Sequence, residues 1–145
     1  MYKILEKKTL NANTKQMLIH APHVAKKALP GQFIILRVDE DGERIPLTIA
    51  SYDREQGTIM IIFQEVGATT KQLGQLNVGD CLHDFAGPLG RASELEGLKK
   101  VAIVGGGLGC AIAYPQAKAL HEMGAEVDLI AGFRQKDIII REDEM

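Results

Sequence analysis

Short apolar runs set between turn residues dominate the first two-thirds of the chain. Residues 15–21 and 32–38 are two such runs, the first preceded by Asn11, Ala12 and Asn13 and the second opened by Pro30 and Gly31. The charged stretch Asp39, Glu40, Asp41, Gly42 closes the second run. Residues 44–51 form the next candidate strand, residues 53–57 turn the chain, and Thr58 to Glu65 read Thr-Ile-Met-Ile-Ile-Phe-Gln-Glu, a strong β run. Strands of this length at regular spacing predict an antiparallel barrel. Residues 69–76 read as a short helix with Thr69 or Thr70 as its N-cap, and residues 81–85 as the last barrel strand, ended by Gly87, Pro88, Leu89 and Gly90.

The pattern changes after Gly97. Val101, Ala102, Ile103 and Val104 are apolar without a break, the mark of a strand buried on both faces. Gly105, Gly106, Gly107, Leu108 and Gly109 follow, and residues 110–123 repeat small apolar residues at helical spacing up to Gly124, a suitable helix stop. Residues 126–131 are a second strand. The resulting βαβ unit is not a finished domain, because two parallel strands cannot bury a sheet. The expectation is therefore residues 1–97 as an antiparallel, Greek-key β-barrel. Residues 98–145 would be the opening part of an incomplete α/β nucleotide-binding domain.

Hydrophobic residues make up 46% of the 145, enough for a core, and 17 basic against 19 acidic residues give a net charge of −2. That balance gives no support to a nucleic-acid partner. No run approaches the roughly 18 apolar residues of a membrane helix, and the charged N-terminus lacks a signal-peptide pattern. The expectation is a soluble, cytoplasmic protein. Cys81 and Cys110 stand 29 positions apart with no CxxC spacing, so no metal or iron–sulfur site is expected within the chain, and both cysteines are read as small core residues. His20, His23, His83 and His121 show no ligand spacing.

Three constellations carry chemistry. Gly105-x-Gly107 sits between a strand and a helix, where glycines let the backbone approach a phosphate and the helix N-terminus offers free N–H groups. Cys110 occupies the third position of that fingerprint, and a tight turn that binds nothing remains open. No acidic ribose-binding residue follows the second strand; Arg134 stands there, open to a 2′-phosphate or to solvent. Arg44, Pro46 and Thr48 alternate on one face of their strand, offering a bidentate donor for phosphate and a hydroxyl for a ring nitrogen. An exposed edge strand explains the proline equally well. Gly67, Ala68, Thr69 and Thr70 place a loop and helix start after the long β run, either a second phosphate cradle or a capped surface helix.

Taken in order, residues 21–27, Pro30-Gly31-Gln32-Phe33, residues 44–49, Glu65-Val66-Gly67-x-x-Thr70, Gly87-Pro88-Leu89-Gly90 and residues 101–109 resemble the ferredoxin–NADP reductase superfamily. Within it they are most similar to the flavin subunits of NADH-dependent ferredoxin:NADP oxidoreductases, and similar to the electron-transfer subunits of dihydroorotate dehydrogenases. The resemblance implies a FAD-binding barrel lined by Arg44, Pro46, Leu47, Thr48 and Ile49, with Thr48 near the isoalloxazine and Arg44 near the phosphates. It implies that Gly67, Thr69 and Thr70 hold the pyrophosphate, and that Gly105, Gly106, Gly107 and Gly109 receive NADP or NAD. Catalysis would be flavin-centred, without a protein nucleophile. A [2Fe–2S] centre is expected only in a missing C-terminal part or a partner, and the implied partners are a larger iron–sulfur flavoprotein subunit or ferredoxin. Ile112 departs from a proline common in the family, and members of the family continue well beyond residue 145. The alternatives are a flavin- or nucleotide-binding module without reductase activity and a barrel that binds only a protein partner.

Overall fold

The computed structural model describes residues 1–145. Nine strands and three α-helices run in the order β1 (Tyr2–Asn11), β2 (Thr14–His20), α1 (Pro22–Lys27), β3 (Phe33–Arg37), β4 (Ile45–Asp53), β5 (Thr58–Gln64), α2 (Ala68–Gln75), β6 (Cys81–Leu82), β7 (Asp84–Leu89), β8 (Lys100–Gly106), α3 (Gly109–Glu122) and β9 (Glu126–Gly132). A short 3-10 turn, Lys136–Ile138, follows. The first seven strands form one antiparallel sheet in the order β6-β1-β2-β5-β4-β3-β7.

Its two edges, β6 and β7, are separated in sequence only by His83, so the sheet curls into a nearly closed barrel. The expected single strand at 81–85 is in fact two. Cys81 and Leu82 pair with β1, and from Asp84 onward the chain pairs with β3. The change of partner falls at His83, whose N–H donates to the carbonyls of Arg37 and Val38 at 3.0 and 3.3 Å. Gly87, Pro88 and Leu89 continue β7 rather than ending it.

Alternation explains the core. Ile34 and Leu36 of β3, Ile49 of β4, Ile59, Ile61 and Phe63 of β5, and Met17 and Ile19 of β2 are all at most 1% exposed, and they meet inside the barrel. Two elements lie outside the sequence expectation. Strand β1 shows no clean period of two, because register shifts between Ile4 and Glu6 and between Thr9 and Asn11 reset which side chains face inward. Helix α1 has six residues with Pro22 in its first turn, too short for a periodic signal; Val24 and Ala25 plug the barrel end while Lys26 and Lys27 face solvent.

Strands β8 and β9 pair in parallel, from Lys100 opposite Glu126 to Gly106 opposite Gly132, with α3 between them in sequence. Gly124 ends α3 with φ +87°, its N–H bonded to the carbonyl of His121 at 3.0 Å and that of Ala125 to Leu120 at 3.0 Å. The expectation of burial on both faces does not hold. Val101 and Ile103 are half-buried, while Val104 is 73% and Ile130 55% exposed on the opposite face. One helix can cover one face only. The cysteines also differ from expectation: Cys110 is buried but Cys81 is exposed.

Candidate functional site

Strand β4 changes partners along its length, pairing with β3 over its first half and with β5 over its second. It pairs with β3 through Phe33–Thr48, Ile34–Leu47, Ile35–Pro46 and Leu36–Ile45, but with β5 only from Ile49–Ile61 onward. Residues 45–48 thus splay away from β5. The N–H of Ile49 donates to the carbonyl of Gln32 at 3.1 Å. By strand parity the Leu47 amide also faces β3, and the backbone nitrogens of Pro46 and Thr48 face the opened side. Pro46 is therefore tolerated in an interior strand because its missing N–H falls where no ladder partner exists. This resolves the edge-strand alternative.

Side chains sort by the same parity. Ile45 and Leu47 pack on the barrel core and Ile49 belongs to it, so whatever Leu47 and Ile49 offer a ligand is backbone. Arg44, Pro46 and Thr48 share the outer face. Arg44 is 64% exposed with Nη2 3.6 Å from Asp84 Oδ2, and the same carboxylate lies 2.8 Å from Arg37 Nε. Asp84 on β7 thus aims the Arg44 fork without burying it.

The opened end of β5 leads directly into α2. Gly67 is the N-cap, not Thr69 or Thr70. Thr70 caps from inside: its Oγ1 accepts the N–H groups of Val66 and Gly67 at 3.0 Å each and donates to the carbonyl of Gly67 at 3.1 Å. The first helical bond runs from Lys71 N–H to Gly67 O at 3.0 Å. The amides of Ala68, Thr69 and Thr70 are left at the helix end, a concentration of donors that suits an anion. No atom lies within 4 Å of where a Gly67 side chain would begin, so the approach is open. Thr69 Oγ1 donates to Glu43 Oε2 at 3.2 Å, tying this helix end to the segment that carries Arg44. Thr70→Ala should lower stability by about 1 kcal/mol, the usual cost of a lost cap, while Thr70→Ser should hold it; urea unfolding of both variants measures this.

The glycine turn divides its roles. A Cβ on Gly105 would sit 3.0 Å from Cys110 Cα and 3.2 Å from its N, so this glycine permits the strand–helix approach. Gly107 has φ +55° and donates to the carbonyl of Gly132 at 2.8 Å. Around Gly106, Gly107 and Gly109 the space is open. An open cleft of about 770 Å³ lies here, lined by Gly106, Gly107, Gly132, Phe133, Arg134, Ile138 and, from the barrel, Gln64. The glycine turn and the end of β5 therefore face one cleft. Burial pushes the Cys110 thiol up from its ordinary value, partly offset by a backbone hydrogen bond at Gly132, so it stays a neutral packing group.

A small apolar seam joins the barrel to the βαβ unit: Ala50 and Ile62 from β4 and β5, Ala111 from α3, and Ile140. Glu43, Gln64, Phe133 and Asp84 were not singled out in sequence; only proximity in the fold marks them. No group of three or more His, Cys, Asp or Glu side chains is arranged to hold a metal ion, and no helix is long and apolar enough to cross a membrane.

A nearly closed antiparallel barrel beside a glycine-turn βαβ unit is the architecture of ferredoxin-reductase-type folds. The phthalate dioxygenase reductase structure shares it at TM-score 0.81 and 18% identity, over 99% of this chain and 46% of that one. The chain belongs to the oxidoreductase FAD-binding domain family, whose model matches residues 1–93. The structure of an NADH-dependent reduced ferredoxin–NADP oxidoreductase superposes over 100% of this chain and 53% of that one, at TM-score 0.96 and 40% identity. A Thermotoga maritima protein described as a dihydroorotate dehydrogenase B (NAD(+)) electron transfer subunit homolog is 43% identical over 141 residues, 97% of this chain and 50% of that protein. A Clostridium beijerinckii protein from the region 3′ of adh is 55% identical over 152 residues, 100% of this chain and 51% of that protein. The chain spans about half the length of the curated relatives it matches.

Proposed function

We propose that this chain is the flavin-binding portion, with the start of the nicotinamide-binding portion, of an electron-transfer reductase subunit. Residues 1–97 form the FAD unit and residues 98–145 the first part of the nucleotide unit. The observation that carries the reading is the splay of β4 from β5. It presents the outer face of Arg44, Pro46 and Thr48, and the unpaired backbone at 46–48, directly beside the open N-terminus of α2.

These residues fit FAD. Arg44 supplies a planar fork for phosphate, and the amides of Ala68, Thr69 and Thr70 complete an anion seat next to Gly67. Thr70 holds that helix end in shape through Val66 and Gly67, while Thr69 would exchange its Glu43 partner for the phosphate. The Thr48 hydroxyl and amide would meet the ring system, and Pro46 would present no competing donor there. The chemistry such a flavin would supply is acceptance of a hydride from a reduced nicotinamide and its release as single electrons to an iron–sulfur acceptor. Gly106, Gly107 and Gly109 leave room for the NADP or NAD pyrophosphate, and the cleft shared with Gln64 brings that dinucleotide to the barrel. The chain's own contribution is binding and orientation, and the reading calls for no protein nucleophile or base. The acceptor is an iron–sulfur partner subunit or ferredoxin; the similarity to dihydroorotate dehydrogenase electron-transfer subunits supports a second reading in which the partner is a dihydroorotate dehydrogenase.

Purified protein reconstituted with FAD and then desalted should keep a flavin absorption band in near-stoichiometric amount. A colourless protein sinks the proposal and favours a barrel that binds only a protein partner. Flavin that binds but is never bleached by NADH or NADPH in the full-length protein favours a non-catalytic flavin module.

A further inference from the structure

Arg141 is charged, 7% exposed, and holds φ at +55°, a left-handed conformation that strains a non-glycine residue. A buried charge on a strained backbone persists only where its surroundings fix it. Here they do so from both structural units. Its Nη1 donates to the carbonyl of Ala50 at 3.3 Å, and its guanidinium carbon lies 4.0 Å from the centroid of the Tyr114 ring on α3. Its Nε has no hydrogen-bond partner. The neighbouring Ile140 is buried in the seam with Ala50, Ile62 and Ala111.

Ala50 is no ordinary strand residue. The β4–β5 register runs from Ile49–Ile61 directly to Ser51–Met60, so Ala50 is the extra residue of a β-bulge, and bulges re-aim the strand around them. This bulge sits where β4 leaves β5 and the outer face of residues 44–48 opens. Arg141 satisfies the bulge through its carbonyl and clasps it to α3, whose N-terminus carries the Gly105–Gly109 turn.

We propose that Arg141 is a positioning residue for hydride transfer: by joining the Ala50 bulge to Tyr114 it fixes the Pro46–Thr48 edge relative to the glycine turn. The inference rests on the FAD and nicotinamide reading above. Arg141 touches neither the Arg44 corner nor the α2 N-terminus, so losing it leaves flavin affinity largely in place. It changes the separation of the two reactants, and small misplacements of reacting groups are costly.

The test uses the full-length protein loaded with FAD. Three variants are compared with wild type: Arg141→Met, Arg141→Lys, and Tyr114→Leu, which removes only the aromatic half of the clasp. Flavin fluorescence gives FAD affinity, and stopped-flow bleaching against nicotinamide concentration gives a limiting rate and a half-saturation. Arg141→Met should keep both affinities within about threefold and lose about tenfold or more in limiting rate. Arg141→Lys should recover only part of that loss because it lacks the planar fork. Tyr114→Leu should lose a smaller part of the rate. A residue that merely stabilised the fold would leave the limiting rate of the folded, flavin-loaded fraction unchanged, and that result overturns the proposal. Should Arg141→Met fail to fold, Tyr114→Leu decides, since a wild-type limiting rate there overturns the proposal equally. Wild-type protein that takes up no FAD sinks the underlying reading, whereas loaded variants that bleach at the wild-type rate overturn the Arg141 role alone.

Discussion

Replacing Arg44 with alanine should weaken FAD binding by about 2–3 kcal/mol, roughly 30- to 150-fold in dissociation constant, the scale of a charge-assisted hydrogen bond. The side chain sits at the corner where the β4 edge meets the α2 N-terminus, and it is aimed by Asp84 rather than buried by it, being 64% exposed. Removing it leaves no unsatisfied core group, since Asp84 keeps its 2.8 Å contact to Arg37 Nε. The loss should therefore appear in flavin affinity and scarcely in unfolding stability. Arg44→Lys should not restore affinity fully, because a lysine presents a point charge in place of a planar fork. Fluorescence titration with FAD, alongside urea unfolding of the apoprotein, separates the two effects. Equal affinity in wild type and both variants would show that Arg44 is only a solvated partner of Asp84.

The 145-residue polypeptide expressed on its own should bind FAD far better than it binds NADP or NAD, and its flavin should not be reduced quickly by NADPH. Dinucleotides bind at the crevice where strand order reverses, which requires strands on both sides of the first one. Strand β8 has a partner on one side only, β9. The face turned away from α3 exposes Val104 and Ile130 at 73% and 55%. The unbroken apolar run at 101–104 predicts burial on both faces, and α3 covers only the face of Val101 and Ile103. Such a surface, with an unpaired β8 edge beside it, should drive self-association at raised concentration. Light scattering against concentration and stopped-flow bleaching by NADPH measure both effects. Fast, saturable flavin reduction at micromolar NADPH by a monomer of this polypeptide would refute the expectation.

The fold class was legible because it rests on local periodicity. Strands such as Phe33–Arg37 alternate between the barrel interior and the outside, and an apolar run followed by glycines and a helix is a strand–turn–helix in any context. How the barrel closes was not legible. It depends on one chain segment changing partners at His83, and nothing in residues 81–89 marks that switch. The N-terminal strand was hidden for the opposite reason, since two bulges erase its alternation before it can be seen.

At the site, the sequence by itself determined which residue types were to hand: an arginine, a hydroxyl and a proline on one strand face, a glycine–threonine helix start, and a run of glycines. Each alone was as consistent with an edge strand, a surface cap or an empty turn. Only the tertiary structure brought them together. The Ala50 bulge lies where β4 parts from β5, which puts the amide-less side of Pro46 where no partner is needed and leaves the backbone nitrogen of Thr48 without a strand partner. The Thr69–Glu43 bond draws the α2 N-terminus to the Arg44 segment, and Gln64 meets the glycine turn across one cleft. These are contacts between residues distant in sequence. Local propensity carries no information about them, because their free energy exists only once the barrel has closed and brought the pieces together.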